Sequence, residues 1–251
     1  MYTDVHCHLL PGVDDGCPDW DASKACLDRC RSEKVRAVLV TPHIWPDKYP
    51  NRPAELRERF AAWSSRAAGL GLQLALGAEV YYHHGLPEDL AAGKLLTLGG
   101  GPHLLVEFPV TLQPRGVDET FYRLRLAGAE PLLAHPERYV FAQRDPRRLA
   151  ALAESGIAFQ VTTHSLVGTF GPQVQRTAFQ MLERGWVALV ASDAHRPDAR
   201  PPLFREAVRV LERRYGRAAA RRLAVQNPRR VFEGLQVHPV PCALQRRGLF
   251  G

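Results

Sequence analysis

The chain has 251 residues, 45% of them hydrophobic and 24% charged, a balance that fits one large globular domain of the size a (β/α) barrel commonly needs. No apolar run approaches the ~20 residues of a membrane span and no basic-then-apolar leader opens the chain, so membrane insertion is not expected and a cytoplasmic location is. Five cysteines, Cys7, Cys17, Cys26, Cys30 and Cys242, form no disulfide framework, and the net charge of +7 comes from 33 basic residues scattered over many predicted helices, which argues against specific nucleic-acid binding.

Taken in chain order, apolar runs of strand length alternate with segments of helical period. The first strand, Thr3 to His8, carries His6 and His8 two apart, hence on one face and able to share an ion. A Gly/Pro-rich loop follows with Asp14-Asp15-Gly16, then a helix over Ala22 to Glu33 and a strand over Arg36 to Thr41 that ends in Pro42-His43. A helix over Pro53 to Ala68 leads to the strand Gln73 to Ala78, which runs into Glu79; the next strand, His103 to Phe108, contains Glu107. After a helix over Asp118 to Ala127, the strand Glu130 to Ala134 ends in His135. Asp145 before Pro146 is an N-cap signal, and Gly156 stops that helix after the Leu149, Leu152 and Ala153 stripe. Strand Ala158 to Val161, helix Gln173 to Arg184 and strand Trp186 to Ala191 follow, the last running into Asp193 and His195. Helices over Leu203 to Tyr215 and Arg217 to Val225 complete a domain of residues 1–236, and Val237 to Gly251, with Pro239 and Pro241, reads as a C-terminal tail without an assigned role.

Six of the seven predicted strands thus end in His, Asp or Glu, and in parallel α/β folds the carboxyl ends of strands face one shared mouth. Each signal is bland alone: His6 and His8 could be hydrogen-bonded core histidines, Asp14-Asp15-Gly16 a turn, Glu107 a lone satisfied carboxylate. Their recurrence at the same end of strand after strand is not. With Asp15 added, five imidazoles and four carboxylates would converge, and unpaired buried charge costs several kcal/mol per group unless cations neutralise it. A cluster of divalent metal ions is therefore expected, and mixed imidazole and carboxylate ligation suits Mn, Fe or Zn better than Mg or Ca. Seven strands could form an open sheet or a closed barrel. Ligands on six strand ends favour the barrel, because strands in an open sheet lie roughly 4.8 Å apart per step.

The strings His6-Cys7-His8, Leu10-Pro11-Gly12-Val13-Asp14-Asp15-Gly16, Thr41-Pro42-His43, Gly77-Ala78-Glu79, Glu107-Phe108-Pro109, His135-Pro136-Glu137-Arg138-Tyr139, Ser192-Asp193-Ala194-His195 and Asn227-Pro228 resemble the polymerase and histidinol phosphatase (PHP) domain. More narrowly, they resemble the metal-dependent protein-tyrosine phosphatases of bacterial capsule and exopolysaccharide loci, from Asp4 to about Leu235. The resemblance implies an α/β fold, a distorted seven-stranded (β/α) TIM-like barrel, holding three divalent metal ions, usually manganese. It implies His6, His8, Asp15, His43, Glu79, Glu107, His135, Asp193 and His195 as ligands, with Arg138 and Arg196 as phosphate contacts and Asp14 the less suited of the adjacent acids. The implied substrate is a phosphotyrosyl protein, a tyrosine autokinase of a polysaccharide locus.

Such a site would hold about +2 net charge before a hydroxide is counted, which suits a phosphate dianion, and a water acidified toward neutrality would serve as nucleophile without a covalent phosphoenzyme. Cys30 and Arg36 have the cysteine-to-arginine spacing of cysteine-dependent phosphatases, but the intervening residues lack glycine and join a helix end to a strand start, so the spacing is read as coincidence. Histidinol phosphate or another small phosphomonoester, phosphodiester cleavage, and a non-catalytic metal-dependent phosphotyrosine-binding protein stand as alternatives. His83, His84, His103, His164 and His238 fall outside the motifs; His164 could line the pocket, and Tyr81 and Tyr82 could flank an aromatic substrate.

Overall fold

A computed structural model describes residues 1–243. Its first half runs β1 (Tyr2–Asp4), α1 (Trp20–Ser32), β2 (Val35–Val40), β3 (His43–Ile44), α2 (Pro53–Ala67), β4 (Gln73–Leu76), β5 (Glu79–Tyr81), α3 (Leu86–Ala91) and β6 (His103–Glu107). The second half adds α4 (Val117–Leu126), β7 (Glu130–Ala134), α5 (Val140–Arg144), α6 (Ala150–Glu154), β8 (Ala158–Thr162), α7 (Thr163–Val167), α8 (Pro172–Glu183), β9 (Val187–Ala191), α9 (Arg205–Arg221) and α10 (Asn227–Phe232). Every named strand pairing is parallel, so the expected α/β architecture holds.

The strands differ from expectation in number. Among the described residues nine are formed, in a three-stranded sheet ordered β1-β2-β4 and a six-stranded sheet ordered β3-β5-β6-β7-β8-β9. The extra two arise where β2 breaks before β3 at Thr41-Pro42 and β4 breaks before β5 at Gly77-Ala78. Proline has no N–H for the ladder and glycine weakens it. His43 and Glu79 therefore open short strands of their own, and they face each other in register. At the other side, Cys7 bridges Ala194, His8 N–H donates to the Ala194 carbonyl at 2.7 Å and Asp193 N–H to the His6 carbonyl at 2.8 Å. Asp4 strengthens that junction, accepting from the Ser192 N–H at 3.0 Å and the Ser192 hydroxyl at 2.5 Å.

The apolar alternation of the strands divides the core in two. Val5, Leu39, Leu105, Leu132, Ala134, Leu189 and Ala191 form the smaller cluster, and residues such as Val38, Val40, Leu104, Val106 and Leu133 pack in the larger one with helical residues such as Leu27. The N-terminal end of the strands is plugged by Val231 of α10 with Val237. That plug extends into the stretch read as tail: Val240 N–H donates to the Val187 carbonyl at 2.8 Å, and the Asn227 amide holds the carbonyls of Ala188 and His238. His103, which lies outside the motifs, is buried there and accepts from Val237 N–H at 3.2 Å. The opposite, C-terminal end is left for polar groups.

Helix ends follow local chemistry. Asp19 caps α1 by accepting from Ala22 N–H, and Asp145 accepts from Arg147 N–H at the start of a 3-10 turn that leads into α6. The two C-terminal helices expected from periodicity are joined as α9 across a kink at Gly216, whose φ of +82° only glycine adopts readily.

Candidate metal centre

All nine residues expected as ligands meet at the C-terminal end of the strands, in three overlapping groups. His8, Asp15, His43 and His195 form one; His6, Glu79, His135 and Asp193 a second; His43, Glu79 and Glu107 a third, each with its ligand atoms within 4.8 Å of one another. Glu79 is the shared hub. Its Oε2 lies 3.2 Å from the Nε2 atoms of both His6 and His8 and 3.4 Å from His43 Nδ1, while Oε1 lies 2.9 Å from His135 Nε2.

Three of the histidines have their rear nitrogen held so that Nε2 faces the cluster. His6 Nδ1 pairs with the Gln160 amide oxygen at 2.8 Å, His8 Nδ1 with Asp14 Oδ2 at 2.7 Å, and His195 Nδ1 with the Asp193 carbonyl at 3.0 Å. An acceptor on Nδ1–H fixes the tautomer and leaves the Nε2 lone pair free, the arrangement metal-ligating histidines use. Asp14 is thereby explained: it also accepts from the backbone N–H groups of Gly16 and His43, both at 3.0 Å, and so ties three parts of the site together from behind. Gln160 was not anticipated. It is the contribution of β8, the one of the seven expected strands whose end carries no candidate ligand, and a glutamine inside the buried run Ala158 to Thr162 was its signal.

Two ligand-position residues hold left-handed backbone, His135 at φ +32° and Asp193 at φ +51°. Such conformations are costly for residues with a Cβ and persist where surrounding contacts over-determine them. Tyr139 supplies some of those contacts, its hydroxyl donating to the Ala134 carbonyl at 2.7 Å and accepting from Phe108 N–H at 2.9 Å.

The electrostatics call for cations. Burial, then the neighbouring Glu79 carboxylate, pushes Glu107 well above the usual carboxylate range. Burial also acts on Glu79 itself, but His6 and His43 outweigh it and hold that carboxyl well below its ordinary value. Burial lowers His43 and His135 to about 4, so both are neutral imidazoles able to ligate at neutral pH. The Nδ1 atoms of these two rings are buried without a hydrogen-bond partner. Crowded acids that cannot all ionise beside neutral, unsatisfied imidazoles form a donor set that divalent ions fit.

Of the two arginines expected as phosphate contacts, one is beside the candidate ligands. Arg138 Nη1 donates to Asp193 Oδ2 at 2.6 Å, and not to Glu137, which is spent on the Thr162 N–H and the Ser165 hydroxyl. Arg196 is not: its side chain is 50% exposed and reaches only toward Asp198, at 3.9 Å. Arg200 lies there instead, its Nη1 meeting the same Asp193 Oδ2 at 2.5 Å. The reason is a turn over residues 196–200, in which His195 N–H donates to the Arg200 carbonyl and Arg200 N–H to the Arg196 carbonyl, bringing the fifth residue after His195 back to the site. Both guanidiniums lie over the Phe170 ring, at 5.2 and 6.0 Å.

The remaining candidates sort cleanly. His164 is buried outside the three groups, its Nε2 2.8 Å from the Pro201 carbonyl, where it anchors the Arg200 turn. Tyr82 belongs to the core with Phe108 and Phe121, whereas Tyr81 is half-buried at the mouth. Cys30 is fully buried inside α1, and burial pushes its thiol well above the ordinary value, so it cannot act as a thiolate nucleophile.

Comparison with known proteins agrees with the site. The family described as capsular polysaccharide synthesis, CpsB/CapC, matches residues 2–233. The tyrosine-protein phosphatase YwqE of Bacillus subtilis is 34% identical over 251 residues, covering 99% of this chain and 98% of that protein. The tyrosine-protein phosphatase CpsB of Streptococcus pneumoniae is 30% identical, covering 91% and 97%. A solved chain from work on YwqE and CpsB, "unique metal-dependent tyrosine phosphatases", superposes with a TM-score of 0.91 at 32% identity, over 98% of this chain and 100% of that one. A Listeria monocytogenes lactonase shares the fold alone, with a TM-score of 0.55 at 13% identity over 92% of this chain and 94% of that one. With its reach over nearly the whole of these relatives and its match to the family over residues 2–233, the chain belongs to the CpsB/CapC family of capsular polysaccharide synthesis.

Proposed function

We propose that this chain is a metal-dependent phosphatase that hydrolyses phosphotyrosine on proteins, with a tyrosine kinase of a polysaccharide locus as its substrate. The observation that carries the reading is the convergence of nine ligand-type side chains in three overlapping groups, with two arginines on the outer oxygen of Asp193. His6, His8, Asp15, His43, Glu79, Glu107, His135, Asp193 and His195 would hold three first-row divalent ions, manganese foremost, with iron or zinc as other fits to the same donors. Bound there, such ions supply Lewis acidity and make a water acidic enough to be a nucleophile near neutral pH. Counting β2 with β3 and β4 with β5 gives seven staves, the distorted (β/α) barrel of the PHP fold.

The protein's own groups do the rest. Arg138 and Arg200 each spend one donor on Asp193 and keep others for the nonbridging oxygens of a phosphate dianion, which planar guanidinium forks match in geometry. Asp193 holds both in place, and the Phe170 face beneath them limits their movement. Hydrolysis forms a P–O bond to water oxygen and breaks the P–O bond to the ring. The departing phenol has a pKa near 10, so no strong general acid is required. Among the described residues no helix is long and apolar enough to cross a membrane, and we place the enzyme in the cytoplasm.

The test compares phosphotyrosyl peptide, histidinol phosphate and a single-stranded oligonucleotide at equal metal content. Preference for the peptide is expected. Faster turnover of either other substrate would reassign the enzyme to small phosphomonoesters or phosphodiesters, and tight peptide binding with no phosphate release would make it a binding protein.

A further inference from the structure

The mouth carries an aromatic wall that neither the ligands nor the arginines use. β3 and β5 pair His43 with Glu79 and Ile44 with Val80, so Trp45 and Tyr81 are the next step outward, on the faces of His43 and Glu79 respectively. Their rings stack with centroids 3.8 Å apart and planes 4° from parallel. Tyr81 also sits in register with Glu107 on β6. Past Trp45 the chain turns back on itself, Trp45 and Tyr49 exchanging backbone hydrogen bonds of 3.0 and 2.7 Å. This lays the Tyr49 ring on His43, at 5.4 Å and 10°, and edge-on to Trp45, at 6.4 Å and 76°. Lys48 Nζ lies 5.2 Å from the Trp45 ring and 4.9 Å from the Tyr49 ring.

Three features give this corner a ligand. Trp45, Tyr49 and Tyr81 are only half-buried, so part of each side chain remains accessible. All three are coupled directly to candidate ligands, Tyr49 by stacking on His43 and the other two by strand register. The geometry is rigid, because a parallel stack and a two-hydrogen-bond turn fix the rings before anything binds. Aromatic rings bind one another offset or edge-on at centroid distances of about 4.5–7 Å, the spacing Tyr49 already keeps to His43 and Trp45.

We propose that Trp45, Tyr49 and Tyr81 are the specificity-determining wall for the phenyl ring of the substrate. The proposal rests on the phosphotyrosine reading above and deepens it. A phosphate held at the cluster presents its ester group toward the mouth, and a tyrosyl ring there gains the open faces and edges of the wall. A phosphoserine carries no ring and gains nothing from it.

The experiment measures equilibrium binding of phenylphosphonate and methylphosphonate to the metal-loaded full chain, with turnover of phosphotyrosyl and phosphoseryl peptides of one sequence in parallel. Wild-type protein is expected to prefer the phenyl compound. Trp45→Ala and Tyr81→Ala should each cut that preference by about tenfold while leaving methylphosphonate affinity unchanged, and Trp45→Phe should retain most of it. Equal loss for both phosphonates, an unchanged preference in both alanine variants, or no preference in wild-type protein each overturns the wall. A phenyl preference lost in the variants, in a protein that does not hydrolyse phosphotyrosyl peptide, upholds the wall and refutes the phosphatase reading instead.

Discussion

Gly16→Ala isolates the close approach on which the Asp15 loop depends. A Cβ at residue 16 would lie 2.0 Å from the His8 carbonyl oxygen and 2.5 Å from the His8 Cβ, contacts real side chains essentially never make. The obstacle is backbone, so the loop and the His8 strand must separate by at least about 1 Å, a displacement of the order that costs about 100-fold in rate when it misplaces reacting groups. The φ of Gly16 is not in the left-handed region, so the penalty comes from space and not from conformation. Because Asp15 precedes this residue and Gly16 N–H anchors Asp14, both a candidate ligand and the support of His8 are moved. We expect kcat on phosphotyrosyl peptide to fall about 100-fold, metal content to drop, and overpacking to cost about 1–3 kcal/mol, or ~2–10 °C in Tm. Gly69→Ala is the control, with no atom within 4 Å of its added methyl, and should change neither quantity. Wild-type kcat and metal content in Gly16→Ala would refute the close-approach argument.

Four further outcomes follow from the same geometry. Arg138→Lys and Arg200→Lys should each lower kcat/KM by about 100-fold, since a point charge does not reproduce the fork, while Arg196→Ala should stay within twofold; steady-state kinetics on one phosphopeptide decides all three. Asp14→Asn removes the carboxylate behind His8 and should weaken metal binding about 10- to 100-fold, read by titration against a competing chelator. Cys30→Ser should keep full activity and lose only stability, because the thiol is buried in α1; loss of turnover with an intact fold and metal content would restore the cysteine mechanism. Tyr139→Phe deletes the hydroxyl joining the Ala134 carbonyl to Phe108 N–H and should cost about 1–3 kcal/mol by thermal unfolding.

Eight of the nine candidate ligands were legible from strand chemistry: each stands at or just beyond the end of a run of apolar residues, and parallel strands point their ends one way, while Asp15 lies in a loop. Helix ends were legible where a single residue acts alone, as with Asp145 before Pro146. What escaped the sequence depends on chain reversal. Nothing local to Arg196 or Arg200 distinguishes them in a chain with 33 basic residues, of which four are Lys; the turn over residues 196–200 decides which guanidinium meets Asp193. Asp14 and Asp15 are adjacent and chemically equal, so the choice of Asp15 came from the resemblance and not from local chemistry; the fold of their loop turns Asp14 toward His8 Nδ1 and Asp15 toward His43 and His195. The breaks at Pro42 and Gly77 were visible as residues but not as strand boundaries, because the apolar runs continue across them.

The central claim is that turnover requires cations gathered by the nine strand-end residues. Its most direct test strips the protein with chelator, returns manganese in steps, and measures bound metal by elemental analysis beside phosphotyrosine hydrolysis at each step. The account predicts no activity in stripped protein and a rise that tracks metal bound, lost again in Glu79→Gln, where the shared hub has one carboxylate oxygen fewer. Full hydrolysis by protein holding less than one ion per chain would contradict it.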